Sequence, residues 1–335
     1  MDKTCLLSGN FALDTIVVRD YPEGFTVGKN NRFTETVVTE CVGNTCGNVS
    51  CMLPYLGVRT FPIGHFDLSQ QGLKMKDDLA RYGADVRFVK NSDRGGTTLL
   101  RCTHKRDKQT GEHTASFRAT SPGSRFPKRR FLRVRDEAPE FIETLDFVPD
   151  VFFFDASEAG LRFLAEKLRQ KGTLVYFEPE SDADAKKFLG GVEVSDIVKF
   201  SGEKVADTSF TERYADKLFI RTLGADGLEF NLKGQGWEKV PTVPNDNIVD
   251  WEGAGDWTTS QLIACLCEKD CLSVSAMTSD LVRGCLQKAS ETASRSVSFM
   301  SSKGNDRRRQ VAGRFTSNDD KGIGNADKVL AAILI

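Results

Sequence analysis

From residue 148 to residue 221, short apolar segments alternate with longer amphipathic ones, and this alternation constrains the fold more than any other feature. The apolar segments are residues 151–154, 174–177, 197–200 and 218–221. Helical patterns lie between them. Strands that are apolar along most of their length have both faces covered, as in a parallel sheet packed between helices. The pattern predicts an α/β chain, a three-layer Rossmann-like αβα sandwich with a mostly parallel central sheet.

The first half of the chain repeats this alternation and adds β-structure of another kind. A short strand at 4–7 and a helix beginning at 43–48 fit the main sandwich. The stretches at about 12–42 and 97–120 are instead rich in β-branched residues and turns. We expect these two stretches to form a small separate β-sheet, a lid over the carboxyl edge of the main sheet. The whole chain, 1–335, is then a single domain.

Charge and hydropathy exclude several classes of partner. Forty-six basic residues against forty-seven acidic ones give a net charge of −1, so no general attraction to nucleic acid or to an acidic membrane surface is expected. The short basic runs at 128–130 and 307–309 read as solvated surface. No window approaches the roughly 20 apolar residues of a membrane span, and residues 1–7 lack a basic leader. These features predict a cytoplasmic protein that acts on a small molecule.

The nine cysteines are scattered along the chain and include positions that look buried. This usage is typical of reduced thiols in a core. Cys265, Cys267 and Cys271 are closely spaced, but no nearby histidine completes a zinc set with them. Residues 301–324 are polar and rich in Ser, Asn, Asp and Gly, a composition that predicts a mobile loop.

The most informative short motif is the heptad at 250–256, Asp-Trp-Glu-Gly-Ala-Gly-Asp, which directly precedes a helical run. Its small residues permit a tight turn, and the helix dipole adds positive potential for an anion. Asp256 is then placed to take a proton from an alcohol while the amides of Gly253, Ala254 and Gly255 stabilise a transferring phosphoryl group. The alternative is an ordinary turn with Asp256 as a helix cap.

Three further positions stand where α/β sheets bind ligands, at the carboxyl ends of strands. Asp14 follows the first strand, and either holds substrate hydroxyls or is an exposed loop carboxylate. Asn48 lies in a small-residue helix start, where its amide offers a donor and an acceptor to a sugar. The glycine-rich turn at 222–227 permits close approach of a nucleotide.

Together these motifs resemble the ribokinase-like (PfkB) carbohydrate and nucleoside kinases over essentially the whole chain. The heptad is similar to that family's D-T-x-G-A-G-D signature, residues 43–48 to its G-G-x-x-x-N helix start, and residues 222–227 to its T-L-G-x-x-G nucleotide turn. The resemblance implies ATP-dependent transfer of a phosphoryl group to a primary hydroxyl, with Asp256 as the base and Mg²⁺ bridging the phosphates. It also implies K⁺ as a monovalent cation near Asp250.

The resemblance assigns further roles residue by residue. It implies sugar contacts from Asp14, Gly43, Asn44, Asn48 and Asp155. It implies nucleotide contacts from Ser201, Thr222, Gly224 and Gly227, and metal contacts from Glu203 and Asp250.

The chain departs from the family pattern at several of these positions. Asn44 replaces the second glycine of the pair, so we expect its side chain to project toward the sugar. Trp251 and Glu252 replace small residues, and Glu252 adds a carboxylate beside the polyphosphate. Ser201 replaces the asparagine of the family's N-x-x-E motif, and Glu203 comes one position early.

We therefore expect a carbohydrate kinase for a sugar or sugar acid, with no nucleic-acid or membrane partner and with a homodimer forming through the lid. Two alternatives stay open. One is a nucleoside kinase, in which Phe25, Phe33 or Phe117 of the lid clamps a base. The other is a catalytically weak, regulatory protein of the same fold that binds a sugar or a nucleotide.

Overall fold

The computed structural model describes residues 2–25, 32–119 and 137–303. The two basic runs at 128–130 and 307–309 lie outside the described residues, as do parts of the two predicted lid stretches. None of the described helices is both long enough and apolar enough to cross a membrane.

The described residues contain thirteen β-strands. In chain order they are β1 (Thr4–Ser8), β2 (Ala12–Tyr21), β3 (Thr34–Gly43), β4 (Arg59–Phe66), β5 (Val89–Asn91), β6 (Leu99–Asp107), β7 (His113–Ala119), β8 (Val151–Phe154), β9 (Leu174–Phe177), β10 (Ile197–Ser201), β11 (Leu218–Thr222), β12 (Leu228–Leu232) and β13 (Trp237–Val240).

Helices connect and cover these strands. They are α1 (Asn44–Tyr55), α2 (Gln70–Arg81), α3 (Glu137–Thr144), α4 (Ala159–Gln170), α5 (Ala185–Val194), α6 (Phe210–Arg213), α7 (Ala254–Glu268) and α8 (Ser279–Ser296), with short 3₁₀ turns at Val86–Phe88, Gly224–Asp226 and Val274–Ala276. Between the apolar segments at 197–200 and 218–221, the predicted helical pattern forms only the four residues of α6.

The main sheet has nine strands in the order β13-β12-β11-β10-β9-β8-β1-β4-β5. Its pairs are parallel except at one edge, where β12 runs antiparallel to both β11 and β13. Alternate residues of one strand enter two different cores. Phe153 of β8 packs in the core formed with α7 and α8, whereas Phe152 and Phe154 pack in the core formed with α4 and α5. The predicted mostly parallel sheet between helices is confirmed.

The second sheet has four strands in the order β3-β2-β6-β7. Its central pair, β2 with β6, is parallel, and its two outer pairs are antiparallel. It is built from the two stretches, at about 12–42 and 97–120, that are rich in β-branched residues. The prediction of a small separate sheet is therefore confirmed. Its action as a lid stays a prediction.

One local expectation was wrong, and another, the mobile loop at 301–324, lies outside the described residues except for residues 301–303. Cys265 of α7 and Cys285 of α8 form a disulfide, with their Cα atoms 5.7 Å apart, while the other seven cysteines are free and buried. The helices bring the two thiols together from positions 20 residues apart, which local spacing does not reveal. Residues 301–303, assigned to a mobile loop, are buried.

Candidate active site

Asp256 lies in the first turn of α7, after a turn that only glycine permits. Gly253, which caps the helix, has φ of 78°, in the left-handed region. A Cβ atom at this position would lie 2.3 Å from the Cβ of Ser302. Backbone conformation and close packing therefore both require glycine here, and together they set the direction in which α7 begins.

A second helix start meets this one. The amide nitrogen of Asn48, in α1, donates to Asp256 Oδ2 over 2.6 Å. The amide oxygen of Asn48 accepts from Ser302 Oγ at 2.9 Å and from Lys303 Nζ at 2.5 Å. Asn48 and Lys303 are almost completely buried. These contacts fix the Asn48 amide so that it presents its N–H to the Asp256 carboxylate.

The pKa of Asp256 is raised from 3.8 to about 7. Burial is the main cause, and the negative charge of Glu178 adds to it. The hydrogen bond from Asn48 and the charges of Lys199 and Lys303 act in the opposite direction. Asp256 therefore titrates near neutral pH, where a carboxyl group serves best as a general base.

Lys199 brings a positive charge to the start of α7. It is buried in β10 and forms an ion pair with Glu178, whose other oxygen accepts from Thr259 Oγ1 at 2.5 Å. The Lys199 Nζ lies 3.8 Å from where a Cβ atom of Gly255 would be. The ammonium group and the helix N-terminus thus contribute positive potential to the same space.

Asp14 interacts with the charge of Lys303, the same ammonium group that donates to Asn48. It is buried in β2, so its interpretation as an exposed loop carboxylate is wrong. Its Oδ2 accepts from the Asn44 N–H at 3.2 Å, and its Oδ1 has no partner among the described residues. Burial raises its pKa to about 6, although the charge of Lys303 lowers it. A Cβ atom at Gly43 would lie 1.6 Å from Asp14 Oδ2, so glycine is required there.

The other two residues implied in sugar contacts engage the protein itself. Asn44 adopts a left-handed conformation, φ 64°, and its side-chain oxygen accepts from the Thr45 N–H at 2.9 Å. Asp155 accepts from the N–H of Asn10 at 2.6 Å and of Cys46 at 2.9 Å, one bond to each carboxylate oxygen. Asp155 thereby connects the end of β1 to the start of α1.

The residues assigned to the nucleotide lie at the ends of β10 and β11. Ser201 and Thr222 are opposite each other in register. Gly224 and Gly227 follow, with φ of 59° and 91°. Glu203 is exposed, and its Oε1 lies 4.0 Å from where a Cβ of Gly224 would be. The open glycine turn fits a nucleotide, and the exposed carboxylate fits Mg²⁺, which takes its other ligands from phosphates and water.

Asp250 and Glu252 shape the turn that precedes α7. The buried Asp250 carboxylate accepts from the N–H of Glu252 at 2.9 Å and of Ser301 at 2.8 Å. Burial and the charges of Asp14 and Asp250 raise the pKa of Glu252 to about 8. Glu252 is therefore mostly protonated at neutral pH and adds little negative charge beside a polyphosphate.

Sequence reasoning missed four residues of this site: Lys199, Glu178, Ser302 and Lys303. A signal was present for Lys199, because a lysine interrupts an otherwise apolar strand segment. Glu178 directly follows β9, so it stands at the carboxyl end of a strand. The same kind of position was the reason for selecting Asp14 from the sequence. Ser302 and Lys303 carried no local signal, since they lie in a polar stretch typical of loops.

A comparison with known protein families finds a match over most of the chain. The model of the pfkB family carbohydrate kinases matches residues 43–304. That range contains every residue of the site described above except Asp14. No curated protein matches the chain by sequence.

Solved structures with the same fold include three kinases. A putative ribokinase from Agrobacterium tumefaciens has a TM-score of 0.66 at 16% identity, over 94% of this chain and 100% of that one. A ribokinase from Giardia lamblia has a TM-score of 0.66 at 14% identity, and the match covers 90% of this chain and 96% of that one. A sugar kinase from Pyrococcus horikoshii in complex with ATP has a TM-score of 0.62 at 18% identity, and the match covers 92% of this chain and 97% of that one.

Proposed function

Because the chain belongs to the pfkB family of carbohydrate kinases, we propose that it transfers the γ-phosphoryl group of ATP to a primary hydroxyl of a sugar or sugar acid. One observation carries this proposal. Asp256 is buried at the N-terminus of α7 and held by Asn48 at 2.6 Å, with its pKa raised to about 7 by burial and by the charge of Glu178. A carboxylate in this setting is suited to accept the proton of an alcohol.

In this mechanism Asp256 removes the hydroxyl proton as the substrate oxygen attacks phosphorus. The Asn48 N–H orients the carboxylate oxygen that it contacts, so that the other oxygen is directed at the substrate. The unpartnered Asp14 Oδ1 accepts a hydrogen bond from a second substrate hydroxyl. Substrate and base are thereby held at hydrogen-bonding distance, which is the geometry that general base catalysis requires.

The start of α7 stabilises the negative charge on the transferring group. The amides of Gly253, Ala254 and Gly255 were predicted to form this anion site. Ala254 also donates to the Trp251 carbonyl, at 3.3 Å, and the ammonium group of Lys199, which is ion-paired with Glu178, lies beside Gly255. Preorganised donors and a charge in a buried site stabilise such a transition state strongly.

ATP and Mg²⁺ would be held at the ends of β10 and β11. The glycine turn with Gly224 and Gly227 receives the nucleotide, together with Ser201 and Thr222, and Glu203 contacts the metal through water or directly. When bound, Mg²⁺ neutralises phosphate charge. The K⁺ expected near Asp250 stays a prediction.

The contacts of the aromatic residues favour a sugar over a nucleoside. Phe25 and Phe33 both pack on Tyr21, with ring centroids 5.1 and 5.4 Å apart from it. Phe117 is half exposed on β7. The first two rings therefore contact the small sheet itself. We further propose that the small sheet acts as a lid, that the enzyme works in the cytoplasm, and that it forms a homodimer through this sheet.

The decisive experiment is ATP consumption with Mg²⁺ and K⁺ against ketoses, aldoses, sugar acids and nucleosides. We expect turnover with a sugar or sugar acid, and Asp256→Asn should lower kcat by about 10²- to 10⁴-fold while sugar binding is kept. Asp246→Asn, at an exposed loop position, is the matched control and should leave kcat unchanged.

Three results would contradict parts of this proposal. Full activity of Asp256→Asn would exclude Asp256 as the base. Turnover with nucleosides alone would exclude the sugar. Absence of turnover across the panel, with thermal stabilisation by a sugar or by ATP, would identify the regulatory binding protein instead.

A further inference from the structure

A cluster of metal-binding side chains lies between the small sheet and the turn before α7. It consists of Cys102 and His104, both on β6, and Glu252. One donor atom from each residue lies within 4.8 Å of the other two. Cys102 and His104 are fully buried. None of these three residues takes part in the phosphoryl transfer described above.

The spacing of the donors suits a zinc ion. Cys102 Sγ lies 3.3 Å from His104 Nε2. Bond lengths of about 2.3 Å to sulfur and 2.05 Å to nitrogen, at a tetrahedral angle, place the two ligand atoms about 3.6 Å apart. Zinc binding would therefore lengthen the distance between Cys102 Sγ and His104 Nε2 by a few tenths of an ångström. A thiolate, an imidazole and a carboxylate form a mixed ligand set that suits zinc.

Glu252 supplies a second, independent observation. Its Oε2 is buried and accepts no hydrogen bond from an N–H or O–H group among the described residues, and the Cys102 thiol, a weak donor, is a side-chain partner of the carboxyl group. A buried carboxyl oxygen with no partner stronger than a thiol is costly unless a ligand occupies the space beside it.

The surroundings of His104 match those of a metal ligand. The ring nitrogen that faces away from Cys102, Nδ1, lies 3.0 Å from His113 Nε2 on β7. An imidazole bound to a metal through one nitrogen usually donates its other N–H to such an acceptor. Asp250 Oδ2 lies 3.6 Å from His104 Nε2, so either this carboxylate or a water can complete four-coordination.

We propose that Cys102, His104 and Glu252 bind a Zn²⁺ ion that ties β6 of the small sheet to the turn before the catalytic helix. Binding forms one bond from zinc to each of the three side chains. The Cys102 thiol proton leaves to solvent, together with any proton on Glu252, and no electron is transferred. The ion crosslinks two segments 150 residues apart in the chain and restrains the small sheet against α7.

This inference does not rest on the proposed phosphoryl transfer, because metal binding is measured without substrate. The full chain, stripped of metal with a chelator under reducing conditions, is titrated with Co²⁺ and then with Zn²⁺. We expect one equivalent of Co²⁺ to give a thiolate-to-cobalt charge-transfer band in the near ultraviolet and a tetrahedral visible spectrum, both removed by one equivalent of Zn²⁺.

Variants assign the ligands. Cys102→Ser should abolish the charge-transfer band, and Glu252→Gln should lower Zn²⁺ affinity by at least about 100-fold. His113→Phe removes the partner of a ligand and should lower affinity by about 10- to 100-fold. Cys271→Ser is the matched control, a free buried thiol away from the cluster, and should leave the band unchanged.

Hydrogen exchange of the wild-type protein tests the zinc site even if the variants fold poorly. In the wild type, Zn²⁺ should slow amide exchange in β6 and β7 relative to the stripped protein, with no change in α4. Either absence of a charge-transfer band in the wild type, or a band that persists in Cys102→Ser, would overturn the proposal.

Discussion

Asn48, in α1, joins that helix to the start of α7, which carries Asp256, the residue that we propose as the base. Its N–H orients Asp256, and its oxygen is held by Lys303 and Ser302. An amide has both a donor and an acceptor, and its two ends cannot be exchanged without breaking three hydrogen bonds. At the scale of single residues, the site therefore depends on one side chain that fixes the orientation of the catalytic carboxyl group.

The titration of Asp256 predicts the pH dependence of catalysis. Asp256 accepts a proton only when ionised, and its pKa is about 7. The groups that face it are Asn48 from α1, Glu178 after β9, Lys199 from β10 and Lys303 after α8. We expect kcat/KM to rise about tenfold per pH unit below neutrality and to level off above it. The check is a pH-rate profile from about pH 5 to pH 9.

Glu178→Gln provides the control for this assignment. It removes a negative charge that raises the pKa of Asp256, so the midpoint of the profile should move to lower pH. A wild-type profile that is flat across this range, or a midpoint that moves upward in Glu178→Gln, would contradict the assignment.

Asn44 combines a left-handed backbone conformation with a side-chain hydrogen bond to the Thr45 N–H. Its φ of 64° explains why asparagine can replace the family's glycine, since asparagine tolerates this region better than most residues. We expect Asn44→Val to lower the free energy of unfolding by about 1 to 3 kcal/mol. Asn44→Gly should change it by less than about 1 kcal/mol. Urea unfolding measures both.

The neighbouring substitution Thr45→Val tests whether the cost comes from the backbone. Thr45 follows Asn44 inside α1. Valine at this position should lower the free energy of unfolding only by the small difference in helix propensity between threonine and valine. Equal losses in Asn44→Val and Thr45→Val would show that the left-handed conformation is not the cause.

At the scale of elements, the proposed lid concerns the position of the β6–β7 hairpin relative to α7. Arg106, Asp107 and Lys108 at the hairpin's end line a cavity with Ile248, Val249 and Met300. The hairpin end therefore lies against the segment that leads into the turn before α7. A sheet in this position can exclude water from a phosphoryl group in transfer.

Shortening this hairpin tests the lid. We expect replacement of residues 105–114 by Asn-Gly, a good two-residue turn, to raise ATP hydrolysis relative to sugar phosphorylation several-fold, because water gains access. Product analysis of both reactions gives the ratio. The same replacement at 233–236, the turn between β12 and β13, is the control. An unchanged ratio in the first variant would contradict the lid.

At the scale of the whole molecule, the small sheet is the surface most suited to a second copy of the chain. Its outer strands β3 and β7 pair with no further strand in the part of the chain that the structure describes, and such edges favour pairing. It also exposes Phe33, Val37 and Phe117 by 44%, 59% and 50%. The main sheet is covered by helices on both faces. Open edges combined with exposed apolar side chains favour association through the small sheet.

We therefore expect a dimer in sedimentation velocity at micromolar concentration. Val37→Glu places a charge on this surface and should give a monomer, because a buried unpaired charge is costly. Leu73→Glu, at a residue of α2 that is 47% exposed, is the control and should stay dimeric. A monomeric wild type would exclude the interface.

Steric and periodic features of the sequence determined the fold and part of the site. Apolar strand segments predicted the parallel sheet, and the small residues of the heptad at 250–256 predicted the tight turn before α7, where Gly253 has φ of 78°. These signals are readable because each depends on neighbouring residues, or on a motif whose spacing is short.

Only the tertiary structure decided which distant groups converge. Asn48 meets Asp256 across 208 residues and Lys303 across 255, and the Cys265–Cys285 disulfide depends on how α7 packs on α8. No local pattern encodes such contacts, because their partners are set by the topology of the whole sheet. The raised pKa of Asp256 has the same origin: burial and the charge of Glu178 act on it only after the chain has folded.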